Sequence, residues 1–248
     1  MIFTTYDTVD LFAGPGGWSL AAQRLGLREI GIETDKAAHM TRRAAGFHTI
    51  RASVTDLGPA HFPNARGLIA SPPCPTFSPA GKGSGRREMS AVLAGIRSIS
   101  TGAPVEHTWE DARTGLTLEP MRWAVDAAQD GRPFRWIALE QVPTVLPVWQ
   151  AMADELGDYG YSVWCGNLHA EQYGVPQTRK RAILIASLDR EVGPPTPTHS
   201  RFHTRSRSRL DPGVLPWVSM GNALGWDGFY QESQIGAGMP PPSLESAS

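Results

Sequence analysis

A cysteine held between prolines is the first candidate for chemistry in this sequence. The apolar run Gly67–Ala70 predicts a strand, and it leads directly into Ser71-Pro72-Pro73-Cys74-Pro75. Proline fixes the backbone φ angle and removes an N–H donor, so this loop holds Cys74 rigidly outside the sheet, as a nucleophile requires. Cys165 lies instead inside the apolar run Val163-Trp164-Cys165, which is typical of a buried small hydrophobe. Cys74 is therefore the candidate nucleophile.

A carboxylate and two guanidinium groups also lie next to predicted strands, as Cys74 does. Glu140 follows the apolar run Trp136–Leu139, and Arg179 and Arg181 precede the apolar run Ala182–Ala186. The carboxyl ends of parallel strands open on one edge of a sheet, where open α/β folds bind ligands. An antiparallel last strand would begin at that same edge, and side-chain alternation places both arginines on one of its faces. The alternative interpretations are a helix-capping or solvated Glu140 and a solvated basic face.

A glycine-rich turn indicates a nucleotide-like ligand. Residues Val9–Ser19 run from a strand through glycines into a helix, an arrangement that lets a ligand approach the backbone and favours an anionic group. Glu33 follows Gly14 by 33 − 14 = 19 residues, where an acid accepts hydrogen bonds from ribose hydroxyls. Ser19 stands where the dinucleotide fingerprint has a third Gly or Ala, which favours a single nucleoside such as S-adenosylmethionine over NAD. A tight turn without a ligand is the alternative.

The elements that position these residues alternate between strands and helices, which predicts an α/β fold with a sheet covered on both faces. The predicted strands are Thr8–Phe12, Glu29–Ile32, Gly67–Ala70, Trp136–Leu139, Ser162–Cys165 and Ala182–Ala186. The predicted helices are Trp18–Leu25, Lys36–Ala45, Leu118–Asp130 and Val148–Leu156. Residues 79–104 are rich in Gly, Ser and Arg, and we expect a mobile loop there on the substrate side.

The texture of the chain changes after Leu188, and we divide it into residues 1–190 and 191–248. The first domain is predicted to hold the catalytic and cofactor-binding residues. The second begins with a short basic linker whose arginines suit phosphate contacts, namely Arg201, Arg205, Arg207 and Arg209. A partial target-recognition segment and a disordered tail from residue 228 are expected to follow, so this extension should be small and irregular.

Composition bounds the class of protein. The 248 residues suit one large domain with an appendage, and the formal charge of −1 excludes a globally basic histone-like binder but not a local basic groove. Two cysteines cannot form a disulfide framework or a structural zinc site by themselves, which favours a reducing compartment. The sequence has no basic leader and no run near the roughly 20 apolar residues that span a bilayer. We therefore expect a soluble cytoplasmic protein.

Taken in order, these segments resemble the DNA cytosine-5 methyltransferases over residues 8–188. The matching pieces are Asp10-Leu11-Phe12-Ala13-Gly14-x-Gly16-Gly17, Glu33, Asp56, Ser71-Pro72-Pro73-Cys74-Pro75-x-Phe77-Ser78, Glu140-x-Val142 and Gln177-x-Arg179-x-Arg181. The usual Glu-Asn-Val of the family is Glu140-Gln141-Val142 here, a departure that keeps the carboxylate. The resemblance implies a Rossmann-like S-adenosylmethionine-dependent fold whose mixed sheet is mostly parallel, with one antiparallel strand.

The resemblance also implies roles for individual residues. Cys74 would add to C6 of a cytosine flipped out of DNA, Glu140 would bind the N3 and amino edge, and Arg181 would hold the O2 side, with Arg179 beside it. No metal is required. The cofactor-binding positions implied for S-adenosylmethionine are Phe12, Gly14, Pro15, Gly17, Glu33, Thr34, Asp56 and Pro73, and the DNA-binding positions include Ser78 and Gln177.

The resemblance weakens beyond Arg181, where only 248 − 181 = 67 residues follow and the family usually has a sizeable recognition region. Three hypotheses stay open. The first is an active DNA methyltransferase with a minimal recognition element. The second is a truncated or split catalytic subunit, or an inactive relic that binds cofactor, with a second protein chain supplying DNA recognition. The third is an unrelated cysteine-dependent enzyme on a nucleotide-binding fold.

Overall fold

A seven-stranded sheet organises the protein, and the computed structural model describes residues 1–78, 83–202 and 210–226. The strands are β1 (Thr8–Leu11), β2 (Glu29–Ile32), β3 (Thr49–Ile50), β4 (Gly67–Ala70), β5 (Trp136–Gln141), β6 (Ser162–His169) and β7 (Lys180–Ser187). Their order across the sheet is β3-β2-β1-β4-β5-β7-β6. The first five strands pair in parallel, and β7 pairs antiparallel with β5. The predicted mixed α/β sheet is thus confirmed.

The register brings the ends of four strands level. Leu11 of β1 pairs with Ile32 of β2 and with Ala70 of β4, and Ala70 pairs with Leu139 of β5. The segments that follow these residues therefore leave the sheet along one edge. Since β5 continues to Gln141, which pairs with Ala182, the beginning of β7 lies at that edge as well.

Helices supply the rest of the core. They are α1 (Gly17–Arg24), α2 (Lys36–Ala44), α3 (Ser84–Arg87), α4 (Met89–Ser100), α5 (Ala112–Gly115), α6 (Glu119–Gln129), α7 (Leu146–Asp158) and α8 (Met220–Ala223). Every residue of β1, β2 and β4 is buried, as expected for parallel strands covered on both faces. Trp123 of α6 and Trp149 of α7 are the largest fully buried side chains. Burying large aromatic surfaces of this kind contributes much of the hydrophobic free energy of folding.

The expected mobile loop over residues 79–104 is wrong for the part of it that the structure describes. Residues 84–100 form α3 and α4, and Val92 and Ile96 of α4 are fully buried. The Gly, Ser and Arg content is concentrated before Met89, whereas the apolar residues after it recur at helical spacing. The strand β3 is also absent from the prediction, because two residues are too few to show an alternating pattern.

The chain divides into two compact units. The first comprises Met1–Leu168 and Lys180–Pro195, and the second comprises His169–Arg179 and the chain from Thr196 onward. Within the described residues of the second unit, the backbone N–H of His199 donates to the carbonyl of Gln172 at 3.0 Å, and the Ser200 hydroxyl bonds the Asp211 carboxylate at 3.1 Å. The predicted domain division after residue 190 stays a prediction, and the predicted tail from residue 228 lies outside the described residues. None of the helices in the described ranges has the length and apolar character needed to cross a bilayer.

Candidate active site

The loop after β4 is rigid in its backbone and open at its thiol. Its first N–H, from Ser71, donates to the carbonyl of Leu11 at 3.2 Å. Further along, the Cys74 carbonyl accepts the N–H groups of Phe77 and Ser78 at 3.0 and 2.9 Å, which closes a tight turn. The Cys74 residue itself is exposed. This loop therefore presents a sulfur atom to an incoming ligand from a fixed backbone.

Gln141, at the end of β5, fastens this loop to the neighbouring strand. Its side chain is almost fully buried, and its Nε2 donates to the carbonyl of Pro72 at 2.5 Å. Its Oε1 accepts the N–H of Val142 at 2.5 Å, so both ends of the amide are used. Thr144 adds a second link, because its hydroxyl donates to the carbonyl of Phe77 at 2.8 Å. The strand that carries Glu140 thus also fixes the position of the cysteine loop.

Glu140 and Arg181, which the strand arrangement predicts at one edge of the sheet, form an ion pair. The Arg181 Nε lies 2.8 Å from Glu140 Oε1, and the two side chains are 26% and 20% exposed. Arg181 also donates from Nη1 to the carbonyl of Lys180 at 2.8 Å. The start of β7 is held from α7, where the indole N–H of buried Trp149 donates to the carbonyl of Ala182 at 3.2 Å. The pair is therefore partly open to a ligand and supported from behind.

The second cysteine has a different environment. Cys165 is partly buried and packs against the hydrophobic core. Burial, followed by the negative charge of Asp154, raises the pKa of the Cys165 thiol. A raised pKa leaves less of the reactive thiolate, so Cys165 is a poor nucleophile.

A cavity of about 250 Å³ opens beside the glycine turn. Four of the predicted cofactor residues line it, namely Phe12, Glu33, Thr34 and Pro73. The other lining residues, which sequence reasoning did not select for this role, are Ile32, Ala52, Ser53, Val54, Ser71 and Leu116. The lining combines one carboxylate with apolar surfaces and hydroxyl groups, a combination that suits a nucleoside.

The glycine turn and Glu33 are joined by hydrogen bonds. Glu33 accepts the N–H of Gly14 at 2.8 Å through Oε2 and the N–H of Asp35 at 2.7 Å through Oε1. Each carboxylate oxygen keeps a lone pair for a further donor. Phe12 has a φ of +60°, the one positive value at a non-glycine residue in the described ranges. Strain of this kind persists where the surrounding structure enforces it, often at a ligand site.

The remaining predicted cofactor positions do not line the cavity. Gly14 and Pro15 belong to the adjoining turn, Gly17 is the first residue of α1, and Asp56 is exposed at the end of the short 3₁₀ helix Val54–Asp56. That helix is held from α6, where Arg122 donates to the carbonyls of Val54 and Leu57 at 2.9 and 3.0 Å. A cofactor contact from Asp56 stays a prediction.

The predicted DNA contacts are spread over the chain. Ser78 lies in the cysteine loop, where its N–H donates to Cys74. Gln177 is exposed in the second unit. Arg179, predicted as a catalytic residue beside Arg181, is exposed in the second unit as well, where its carbonyl accepts the N–H of Ala170 at 2.8 Å, and its catalytic role stays a prediction. Arg201 is exposed in the same unit, with its N–H donating to Asp211 at 3.0 Å. The arginines that lie outside the described residues are Arg205, Arg207 and Arg209.

The missed cavity residues differ in how far the sequence could have revealed them. Ala52, Ser53 and Val54 follow the end of β3 after one intervening residue, so recognising that strand would have placed them at the same sheet edge. Leu116 comes from the 3₁₀ helix Leu116–Leu118, far along the chain from the glycine turn. No local pattern marks Leu116 for this role.

Comparisons with known protein families and sequences match this chain to methyltransferases. The family model for C-5 cytosine-specific DNA methylase matches residues 6–104 and 124–214. The type II methyltransferase M.HaeII of Haemophilus aegyptius is 27% identical over 188 residues, covering 75% of this chain and 51% of that protein. The type II methyltransferase M.NaeI of Lentzea aerocolonigenes is 28% identical over 191 residues, covering 73% of this chain and 39% of that protein. The chain thus spans about half the length of the first and less of the second.

A solved structure gives the same view of the fold. The crystal structure of S. pombe Dnmt2 methyltransferase matches with a TM-score of 0.54 and 15% sequence identity, over 76% of this chain and 51% of that one. At this identity the likeness concerns the fold.

Proposed function

Since the chain belongs to the family of C-5 cytosine-specific DNA methylases, we propose that it transfers a methyl group from S-adenosylmethionine to C5 of cytosine in DNA. The observation that carries this proposal is the arrangement at the sheet edge. The Glu140–Arg181 pair stands at the end of β5, and the next residue, Gln141, is bonded to the loop that presents Cys74. The family is one of DNA methylases, which supports DNA as the substrate. The relatives are named type II methyltransferases, which supports a role in restriction-modification.

The cavity beside the glycine turn fits the nucleoside part of S-adenosylmethionine. Glu33 would accept hydrogen bonds from the ribose hydroxyls, since both of its oxygens keep acceptor capacity. Phe12, Pro73 and Leu116 offer apolar surfaces for the adenine ring. When bound, S-adenosylmethionine supplies an electrophilic methyl group. Pro73 directly precedes Cys74, so the cavity adjoins the loop that carries the nucleophile.

Cys74 would make the cytosine ring reactive. C5 of cytosine is a poor nucleophile, and a covalent adduct divides one difficult step into two easier ones. The Cys74 thiolate forms a bond to C6, and the electron pair of the C5–C6 double bond makes C5 enamine-like. Methyl transfer to C5 would leave the donor as S-adenosylhomocysteine. Water would then take the C5 proton, and the electron pair of that C–H bond would re-form the C5–C6 double bond and expel the Cys74 thiolate from C6.

Glu140 and Arg181 would stabilise the ring while its charge changes. Glu140 would accept a hydrogen bond from the amino group beside N3, and Arg181, fixed by that carboxylate, would donate to the O2 side. Preorganised groups of this kind stabilise developing charge without having to reorganise during the reaction. Because stacking shields C6 in a duplex, the cytosine must leave the helix, at a cost of a few kcal/mol.

A second protein chain that supplies target recognition is the alternative form of this function. Large apolar side chains are exposed in the described part of the second unit, including Phe202, Leu215, Met220, Leu224 and Trp226. A second chain that covered these side chains would gain the hydrophobic free energy of burying them. In this form the chain binds S-adenosylmethionine alone and turns over only with its partner.

The test is a product assay with matched cysteine variants. The chain is incubated with S-adenosylmethionine and mixed-sequence DNA or RNA, the nucleic acid is digested, and nucleosides are identified by mass. We expect 5-methylcytosine from DNA with the wild-type chain and Cys165→Ser, and none with Cys74→Ser, which should still bind S-adenosylmethionine in calorimetry. Methylation by Cys74→Ser would contradict the covalent mechanism. Binding without turnover would favour the partner-dependent form.

A further inference from the structure

A fully buried arginine lies behind the glycine turn. Arg42 of α2 has no solvent exposure, although it carries a permanent charge. Its guanidinium donates five hydrogen bonds, to Ala13 O at 3.2 Å, Ser19 Oγ at 2.7 Å, Glu29 Oε1 at 2.9 Å, His48 O at 3.2 Å and Thr49 Oγ1 at 2.8 Å. A buried charge is tolerated only when it is paired and its donors are satisfied. Arg42 meets both conditions.

The five acceptors fall into two groups. Ala13 belongs to the turn after β1, and Ser19 belongs to α1, the helix that this turn begins. The other acceptors lie in β2, at His48 and in β3, on the opposite side of the guanidinium. Nη1 serves only the turn side, whereas Nη2 and Nε serve the strand side. The planar guanidinium therefore links the turn to the strands through hydrogen bonds.

The surrounding residues leave room for the Arg42 guanidinium. A Cβ atom at Gly31 would collide with the Arg42 guanidinium, so glycine at this position in β2 makes space for it. Gly16 has a φ of +111°, and a Cβ there would lie 2.7 Å from the Phe47 ring, over which Arg42 also lies at 5.8 Å. The turn thus rests directly on the group formed by Arg42 and Phe47.

We infer that Arg42 is a positioning residue for the cofactor turn, an inference that rests on the proposed function. Its bond to the Ala13 carbonyl fixes the peptide beside Gly14, whose N–H donates to Glu33, and Phe12 on the other side of Ala13 lines the cavity. Arg42 touches neither the cavity nor the proposed reacting atoms. It acts by holding the glycine turn and Glu33 in register, and its loss should weaken S-adenosylmethionine binding rather than slow the methylation step.

Substitutions at two acceptors of the same guanidinium provide the test. Ser19→Ala removes the acceptor at 2.7 Å on the turn side, and Thr49→Val removes the acceptor at 2.8 Å on the strand side. Each change removes one hydrogen bond to the guanidinium and one other, from Thr49 to the Phe47 carbonyl at 3.4 Å or between Ser19 and Glu29, so their melting temperatures should fall by similar amounts. Loss of one hydrogen bond on the turn side corresponds to about a fivefold weaker binding of S-adenosylmethionine by calorimetry. Thr49→Val should leave the affinity within about twofold of wild type, since it changes no bond to the turn.

Arg42→Lys extends the test without leaving Glu29 unpaired. A lysine keeps the charge but has no planar fork to join both groups of acceptors. We expect its affinity for S-adenosylmethionine to fall by about 10- to 100-fold, as misplaced binding groups do, while kcat at saturating S-adenosylmethionine stays within about twofold. The surface variant Arg28→Met, which breaks an exposed ion pair with Asp7, should bind as wild type does.

The outcomes separate this inference from the proposed function. If wild type binds S-adenosylmethionine and Ser19→Ala binds as tightly as Thr49→Val, Arg42 is merely structural and the inference is wrong, while the proposed function stands. A fall in kcat with unchanged affinity would also overturn it. If wild type itself does not bind S-adenosylmethionine, the proposed cofactor site fails together with the inference.

Discussion

Arg181 Nε and Glu140 Oε1 lie 2.8 Å apart, although one residue begins the antiparallel strand β7 and the other lies near the end of β5. In the ladder between these strands Glu140 pairs with Ile183, two residues beyond Arg181. The side chains therefore meet diagonally across the strand pair at the open edge of the sheet. Partly exposed ion pairs contribute little to stability, so the value of this pair lies in the orientation of the carboxylate.

Glu140→Gln should separate chemistry from folding. The amide keeps the shape of the side chain but loses the negative charge that holds Arg181, and it replaces one of the two acceptor oxygens by an NH2 donor. We expect kcat for DNA methylation to fall by about 100-fold or more, as when a preorganised stabilising group is lost. Melting temperature and S-adenosylmethionine affinity should stay near wild type. Asp158→Asn, at the exposed end of α7, is the matched control, and an equal loss of kcat there would refute the assignment.

The buried Gln141 should control the cysteine loop. Gln141→Leu has nearly the same volume but leaves the Pro72 carbonyl without its donor, which costs about 1–3 kcal/mol of unfolding free energy. We expect a lower kcat at unchanged S-adenosylmethionine affinity, because the loop that carries Cys74 loses its link to β5. Chemical denaturation and steady-state kinetics measure the two effects. Full activity of Gln141→Leu would show that the link does not position the thiol.

Asp10 should make the stability of the protein depend on pH. It is fully buried in β1, and neither carboxyl oxygen has a hydrogen-bond partner within the described chain. Burial, with the negative charges of Glu29 and Glu33 and against the opposing charge of Arg42, raises the pKa of Asp10 well above its ordinary value. The folded state therefore keeps a proton that the unfolded chain loses above its pKa of about 3.9.

The sign of the effect follows from proton linkage. Because the folded state binds more protons than the unfolded state, the unfolding free energy falls as pH rises from about 3.9 towards the raised folded pKa of Asp10. Asp10→Asn removes this titration, so its stability relative to wild type should increase from pH 5 to pH 8 in urea denaturation. Asp158→Asn should show no such trend. A constant difference between Asp10→Asn and wild type would mean that Asp10 is ionised in the fold.

Two glycines of the cofactor turn should tolerate alanine differently. Gly16 has a φ of +111° and its Cβ position lies 2.7 Å from the Phe47 ring, whereas Gly14, with a φ of +53°, has no atom within 4 Å of its Cβ position. Gly16→Ala therefore combines backbone strain, about 1–3 kcal/mol, with a collision, and Gly14→Ala has the strain alone. Thermal denaturation should show the larger loss for Gly16→Ala. Equal losses would show that the Phe47 ring yields without cost.

The sequence by itself determined the features of this protein that depend on residues close together in the chain. The apolar runs predicted six of the seven strands, the prolines marked the exposed Cys74 loop, and the short return into the last strand placed Arg181 at the sheet edge where Glu140 also lies. Composition alone did not predict the helix α4, because the glycine-rich residues before it obscured its apolar pattern.

Tertiary structure decided the features that depend on contacts between distant segments. Leu116 reaches the cavity from a 3₁₀ helix far along the chain, Gln141 crosses to Pro72, and Arg42 joins the glycine turn to β2 and β3. No local sequence pattern marks any of these residues for its role, because the residues next to it in the chain do not show which distant group it will contact. Only the packing of the sheet against its helices selects the acceptors, since buried polar groups must find partners wherever the fold supplies them.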